Sequence, residues 1–149
     1  MAGGLRIAPA RIDAFAAAFA VHARGNLSPE ELVPGLDIDA TATLAGLGFV
    51  TVEQLARLAP FGQGNGPPLL AMEGCKVLTE PRRMGRGGKT IAFHLGQNGA
   101  SLRAVGFGMA ELADKLHVGA SVSVAAEPTL NRFNGSASVE LRLRDVRIG

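Results

Sequence analysis

Pro60-Phe61-Gly62-Gln63-Gly64-Asn65-Gly66-Pro67-Pro68 is a dense turn near the middle of this 149-residue chain. Glycine, asparagine and proline at this density predict a shaped junction between two segments. The residues before the turn have helical periodicity, whereas the residues after it alternate as β-strands do. The turn therefore divides the chain into two predicted domains, residues 1–66 and residues 67–149.

The charges of the chain are divided in a similar way. Residues 1–70 carry four Lys and Arg against six Asp and Glu, whereas residues 71–149 carry eleven against seven. A basic half is compatible with a polyanion partner that it meets through phosphate contacts. A surplus of four positive charges also occurs in domains that bind no nucleic acid, so charge alone leaves both interpretations open.

Composition excludes several classes of protein. The single cysteine, Cys75, rules out internal disulfides and fits a reducing compartment. No run of about 18 apolar residues occurs, as a membrane-spanning helix would require. The first residues, Met1–Arg6, do not resemble the start of a secretion signal. We therefore expect a cytoplasmic protein with no membrane partner.

The first half of the chain predicts helices. Pro9 to Arg24 repeats apolar residues every three or four positions, and Val52 to Leu58 forms a second helix with Leu55 and Leu58 facing inward. Ser28-Pro29-Glu30-Glu31 fits a capping box that begins a short helix between these two.

The second half predicts short strands joined by turns. Gly96–Gly99 and Asn134-Gly135 are hairpin signals, Met109 to Leu116 is a short helix, and the alternation slips at Asp145 as at a β-bulge. This order is that of a five-stranded OB-type barrel, and some other small barrel is the alternative. The predicted strands are Leu69–Met72, Lys76–Arg83, Thr90–Leu95, Ser101–Gly108, Ser121–Ala126 and Val139–Arg144.

Residues suited to catalysis are few. The three histidines, His22, His94 and His117, have no carboxylate or cysteine at metal-ligand spacing, and the sequence has no HExxH motif, CxxC pair, Walker loop or GxSxG elbow. Asp37 and Asp39 alternate within a predicted strand, Leu36–Ala40, where they could hold a metal ion or simply form a solvated strand face. We therefore predict no catalytic and no metal-binding residue.

A basic cluster is the strongest candidate for binding. Four cations lie within eight residues that contain no acid, and on a barrel loop they would reach a nucleic acid backbone or form only a solvated loop. Phe133 is the best candidate for a base-stacking ring, or else packs under its own loop, and Phe93 and Phe107 alternate into the core or onto one sheet face. The predicted nucleic-acid-binding residues are Arg82, Arg83, Arg86, Lys89, His94, Arg103, Arg132, Phe133 and Asn134.

The turn and its surroundings resemble one nuclease family. Leu58-Ala59-Pro60-Phe61-Gly62-Gln63-Gly64-Asn65 is similar to the Leu-Ala-Pro-Phe-Gly-x-Gly-Asn turn of RecJ-type single-stranded-DNA exonucleases, in the DHH phosphoesterase superfamily. Ile12–Phe19 upstream and Asn131–Gly135 downstream resemble further segments of that family in the same order. Gly66 departs from the family, which usually has proline there. The family turn residues are Pro60, Phe61, Gly62, Gly64 and Asn65.

The resemblance implies an α+β fold. Residues 1–66 would be a partial α/β DHH-associated subdomain, and residues 67–149 a five-stranded OB-type β-barrel. We expect the first part to be less stable than the barrel, because the apolar faces of its helices would lack some of their partners.

The resemblance also implies a function. In that family the OB domain guides single-stranded DNA toward catalytic domains that use Mn²⁺ or Mg²⁺. The metal-binding aspartates, the DHH motif and the glycine-glycine-histidine motif of those domains have no counterpart in this sequence, and Met1 resembles a start inside such an enzyme.

We therefore expect a single-stranded-DNA-binding C-terminal region of a RecJ-type 5′–3′ exonuclease of DNA repair and recombination, inactive alone and without a cofactor of its own. The alternative is a protein–protein interaction or structural module that docks on a separate catalytic chain. The expected partners are single-stranded DNA and either the missing catalytic domain or another protein.

Overall fold

A computed structural model describes residues 3–28, 33, 35–133 and 135–149. The chain forms two compact units, Met1–Leu36 and Asp37–Gly149. This division lies well before the boundary at residue 66 that the sequence predicts. The physical reason is that Leu44, Leu47 and Val52 belong to the same buried core as the strands that follow them.

The described part of the first unit is mainly one helix. Pro9–Arg11 is a 3₁₀ turn and α1 spans Ile12–Asn26, which confirms the helix predicted there. No residue of α1 is buried. The rings of Phe15 and Phe19 stack on each other at 5.8 Å. Pro29, Glu30 and Glu31 of the predicted capping box lie outside the described residues.

The second unit contains a closed barrel of five strands. The strands are β1 Ala40–Thr41, β2 Leu70–Val77, β3 Arg82–Met84, β4 Thr90–Gln97, β5 Ala100–Phe107, β6 Ser121–Phe133 and β7 Ser136–Ile148. In the barrel β2 pairs with β6, β6 with β7, β7 with β5, β5 with β4, and β4 with β2, and of these pairs only β5–β7 is parallel. A 3₁₀ helix, Ala110–Asp114, lies between the third and fourth barrel strands. This arrangement confirms the OB-type fold.

Alternation along the strands builds the core. In β4, Ile91, Phe93 and Leu95 point into the barrel and are buried, while His94 between them is exposed. Successive side chains of a strand point to opposite faces, so each strand gives one face to the core and one to the surface. The outward face is therefore the place to look for a binding site.

Local irregularities confirm some predictions and correct others. The register of β6 and β7 shifts where Ala125 faces Asp145, which confirms the predicted bulge. The sequence predicts strands over 69–72 and 76–83, but β2 continues through a bulge at Gly74, where φ is +63°, and ends at Val77, and Arg82 and Arg83 belong to the separate strand β3. Glycine alone adopts that conformation without strain, so the strand bends at Gly74 rather than ending.

The segment before the turn also differs from expectation. Helix α2 spans Phe49–Ala56 and buries Val52, with Leu55 packed against the core. The prediction that Leu58 faces inward is wrong, because the helix ends at Ala56 and Leu58 is exposed. Of the strand expected over 36–40, only Ala40 is in β1, which pairs with β2 in parallel. Among the described helices, none is long and apolar enough to cross a membrane.

Candidate nucleic-acid interface

One groove brings together three of the predicted binding residues. Arg82, His94 and Arg103 line an open depression of about 290 Å³ on the outward face of β3, β4 and β5, and the acid Glu80 lines it as well. His94 and Arg103 are cross-strand partners, and Arg82 is paired with Ala92 on the other side of β4. Paired residues of neighbouring strands share a face, so the sheet itself assembles this cluster.

Arg103 is held across the groove by two contacts. Its Nη1 atom donates to the Glu140 carboxylate on β7, and its Nη2 atom lies 3.5 Å from Met84 Sδ on β3. The Glu140 side chain is only 16% exposed and also accepts from Asn131 Nδ2 at 3.5 Å. The Glu140 carboxylate is therefore an anion of the barrel itself that lies beside Arg103, the least exposed cation of the groove.

Arg83 does not join the groove. It follows Arg82 on β3, and alternation turns it to the opposite face. There it forms an ion pair with Asp114 at 2.5 Å and donates to the carbonyl oxygen of Ala110 at 3.2 Å. Two adjacent arginines thus have different surroundings, one open and one already paired.

The loop after β3 presents Arg86 and Lys89 at the surface. Gly85, Gly87 and Gly88 all have positive φ, so the loop takes a path that other residues would strain to follow. Within the described residues neither cation has an ion-pair partner. Their charges are therefore available to an external anion.

The β6–β7 hairpin contains the remaining predicted residues. Arg132 is exposed near the end of β6 and pairs with Ala137. Phe133 is the last residue of β6 and pairs with Ser136, while Asn134 lies outside the described residues. The role of Phe133 as a stacking ring stays a prediction.

The structure shows which of two phenylalanines lies in the core and which on the surface, a question that the sequence does not decide. Phe93 is 2% exposed and lies in the core, whereas Phe107 is 58% exposed at the end of β5. The guanidinium carbon of Arg142 on β7 lies 5.1 Å from the centre of the Phe107 ring. Neither Phe107 nor Arg142 was predicted to bind. Phe107 does share the alternation phase of Arg103, which is the signal that could have found it.

A second acid lies on the outward side of the barrel. Glu127 on β6 is buried, and its carboxylate accepts from Arg144 Nε at 2.6 Å. Burial of a charged group is costly unless it is paired and hydrogen-bonded. Arg144 therefore stabilises the buried Glu127 carboxylate, and we do not count it among the cations available to bind DNA.

The family turn is closed by its own hydrogen bonds. Gly62 and Asn65 exchange backbone hydrogen bonds of 2.8 and 3.2 Å, and Asn65 Nδ2 donates to the carbonyl oxygen of Pro60 at 2.9 Å. Gly64 has a φ of +81°, which favours glycine. Phe61 is partly exposed in this turn. The turn is thus an ordered surface feature of the second unit.

The described residues do not fit a divalent metal. They contain no group of three or more His, Cys, Asp and Glu side chains close enough to hold an ion. The Asp39 carboxylate accepts from the backbone N–H of Leu69 at 2.8 Å. Cys75 is fully buried, and that burial raises the pKa of its thiol, so it is not a reactive nucleophile.

The strand order and the basic groove define an OB-fold protein whose second and third barrel strands present the candidate interface. The family model of the RecJ OB domain matches residues 38–145, and the chain belongs to that family. The match begins one residue after the start of the second compact unit.

Individual relatives support the same assignment. The chain is 26% identical over 129 residues to the single-stranded-DNA-specific exonuclease RecJ of Bacillus subtilis (strain 168), a match that covers 85% of this chain and 16% of that protein. The crystal structure of RecJ from Thermus thermophilus in complex with Mn²⁺ matches with a TM-score of 0.72 and 28% identity, over 97% of this chain and 20% of that one. The Mg²⁺ complex of the same protein matches with a TM-score of 0.68 and 28% identity, over 95% of this chain and 21% of its own. The chain thus spans about a fifth or less of the length of these relatives.

Proposed function

We propose that this chain is the single-stranded-DNA-binding region of a RecJ-type exonuclease and serves DNA repair and recombination in the cytoplasm. The observation that carries the proposal is the convergence of Arg82, His94 and Arg103 on one groove of the second and third barrel strands. OB folds bind oligonucleotides on this face and with the loops beside it. The exposed cations Arg86 and Lys89 lie on one such loop.

The groove binds the phosphates of a single DNA strand. Hydrolysis, and the Mn²⁺ or Mg²⁺ that it uses, belong to other parts of a RecJ-type protein. This chain supplies affinity for single-stranded DNA and guides it toward those parts. The groove has no described constellation of metal ligands, so no chemical step is assigned to it.

A docking module for another protein is the second candidate. Large apolar side chains are exposed on the second unit, among them Phe49, Val50 and Leu58. Such side chains suit a protein partner, which could be a separate catalytic chain. A titration with single-stranded DNA across a salt series separates the two candidates, because a docking module would not bind a single strand in a salt-dependent way.

Arg82→Ala should weaken binding of a fluorescent single strand more than Arg83→Ala does. We expect the wild-type affinity to fall as salt rises, since each phosphate contact with a single strand contributes a slope of about 0.7 in log–log form. Loss of one contact should therefore cost about fourfold at 0.15 M salt and make the slope shallower by about 0.7. Anisotropy titrations across a salt series measure both quantities.

Arg83→Ala is the matched control, because it removes the same charge from the adjacent position of β3 but from an existing ion pair. Equal losses in the two variants would show that the groove is not the phosphate path. A wild-type affinity that is independent of salt, or undetectable at low salt, would overturn the DNA proposal.

Glu140→Gln should tighten the binding of single-stranded DNA. The substitution replaces the ion pair with Arg103 by a hydrogen bond to a neutral amide, so no carboxylate competes with a phosphate for the guanidinium. One added contact predicts a gain of about fourfold at 0.15 M salt and a slope steeper by about 0.7. Asp114→Asn is the control, because it frees Arg83 outside the groove and should leave the affinity unchanged. Weaker binding by Glu140→Gln would mean that the acid positions Arg103 rather than competing for it.

A further inference from the structure

The outward face of the barrel continues beyond the basic groove to an exposed ring. Phe107 lies four residues after Arg103 on β5 and on the same face, about 13 Å away at the usual rise per residue. The residue between them on that face is Val105, which is buried and is paired with Arg142 across the β5–β7 junction. The ring therefore adjoins the groove along one strand.

Arg142 makes this ring more than an isolated apolar side chain. Its guanidinium carbon is 5.1 Å from the ring centre, within the range of a cation–π contact. Glu127 on β6 is the register partner of Arg142, and its carboxylate accepts from Arg144 Nε. Among the described residues Arg142 forms no ion pair of its own, so its guanidinium lies against the ring without a carboxylate bound to it.

Aromatic surface is scarce in this protein. The chain has no Trp and no Tyr, and its aromatic residues are seven Phe. Proteins that bind single strands without sequence preference combine a basic path for the backbone with aromatic rings on which bases stack, and Arg planes contribute to the stacking. An exposed Phe with a guanidinium on it, next to a basic groove, fits that combination.

We propose that Phe107 and Arg142 form a nucleobase-stacking site that takes one unpaired base of a strand whose phosphates follow the groove. The inference rests on the proposed function and adds a site of different chemistry to it. The ring contacts the face of the base, and the guanidinium beside it extends the planar surface and attracts the adjoining phosphate. Every base has such a face, so the site accepts all four.

Phe107→Ala tests the site by a loss of affinity without a loss of charge. Stacking of one base predicts affinity about 5- to 150-fold lower, with an unchanged salt slope. Arg142→Ala should lower the affinity and also make the slope shallower by about 0.7. Titrations of a labelled single strand across a salt series give both values, and thermal melts should show that each variant stays folded.

Two further variants separate stacking on the Phe107 ring from other causes of lost affinity. Phe107→Leu retains an apolar side chain without a ring, so wild-type affinity in that variant would overturn stacking. Phe49→Ala removes another exposed ring, one on α2, and should bind like the wild type. If Phe107→Ala binds within about twofold of the wild type while Arg82→Ala is weakened, the stacking site is wrong and the proposed function stands. If the wild type itself does not bind single-stranded DNA, the proposed function is wrong, and the stacking site that rests on it is wrong as well.

Discussion

A fragment of residues 67–149 will not fold cooperatively, whereas a fragment of residues 37–149 will melt in one transition at nearly the temperature of the whole chain. The reason is the position of Leu44, Leu47 and Val52, which are 2%, 3% and 1% exposed and belong to the barrel core. Truncating one buried Leu to Ala costs about 2–5 kcal/mol. Removing all three side chains approaches the roughly 5–15 kcal/mol by which a whole domain is typically stable.

Polar contacts add to this dependence. The backbone N–H of Leu44 donates to Gln97 Oε1 at 2.8 Å, so the end of β4 loses a part-buried partner in the shorter fragment. The Asp39 N–H donates to the carbonyl oxygen of Leu69 at 2.9 Å, which ties the segment to the start of β2. Deleting residues 1–36 removes neither contact, and no residue of α1 is buried.

Circular dichroism and thermal melts of the whole chain and both fragments check this prediction. The fragment of residues 37–149 is the control for deletion as such. A cooperative transition of residues 67–149 at the same temperature would show instead that the domain boundary lies at the turn, as the sequence predicts.

The strands could be predicted from the sequence because their signals are local. Alternation and the Asn98-Gly99 turn, both residues of which have positive φ, specify the β4–β5 hairpin within a few residues of each other. The contribution of Leu44 and Leu47 to the barrel core could not be predicted, because they lie in and beside a 3₁₀ turn, where no period marks a buried side chain. The Gly- and Pro-rich turn has strong local signals of a junction, although residues on both sides of it belong to one core.

The candidate site was predictable as a set of residues but not as an arrangement. Arg82 and Arg83 are equivalent in the sequence, and their separation depends on the pairing of β3 with β4 and on Asp114, which is far along the chain. Glu140 reaches Arg103 only because β5 and β7 close the barrel in parallel. Long-range pairing of this kind leaves no local pattern, so the competing acid was not foreseen.

Phe93→Ala should lower the stability of the protein and leave its DNA affinity nearly unchanged. Phe107→Ala should lower the DNA affinity and leave the stability nearly unchanged. The two rings lie on adjacent strands, but Phe93 points into the core at 2% exposure and Phe107 points outward at 58%. A buried Phe truncated to Ala costs about 3–5 kcal/mol, because a cavity is added to the lost transfer free energy. For a chain of this size that corresponds to a melting temperature lower by about 10–20 °C.

Surface substitutions away from special features usually change stability by about 0.5 kcal/mol or less, so the Phe107 variant should melt within a few degrees of the wild type. DNA titrations are then made below the lower of the two melting temperatures, where both variants are folded. The same substitution in the same sheet controls for residue type, and only the face differs. If both variants lost stability equally, Phe107 would be a packing residue; if Phe93→Ala lost affinity while folded, the core behind the groove would shape the binding face.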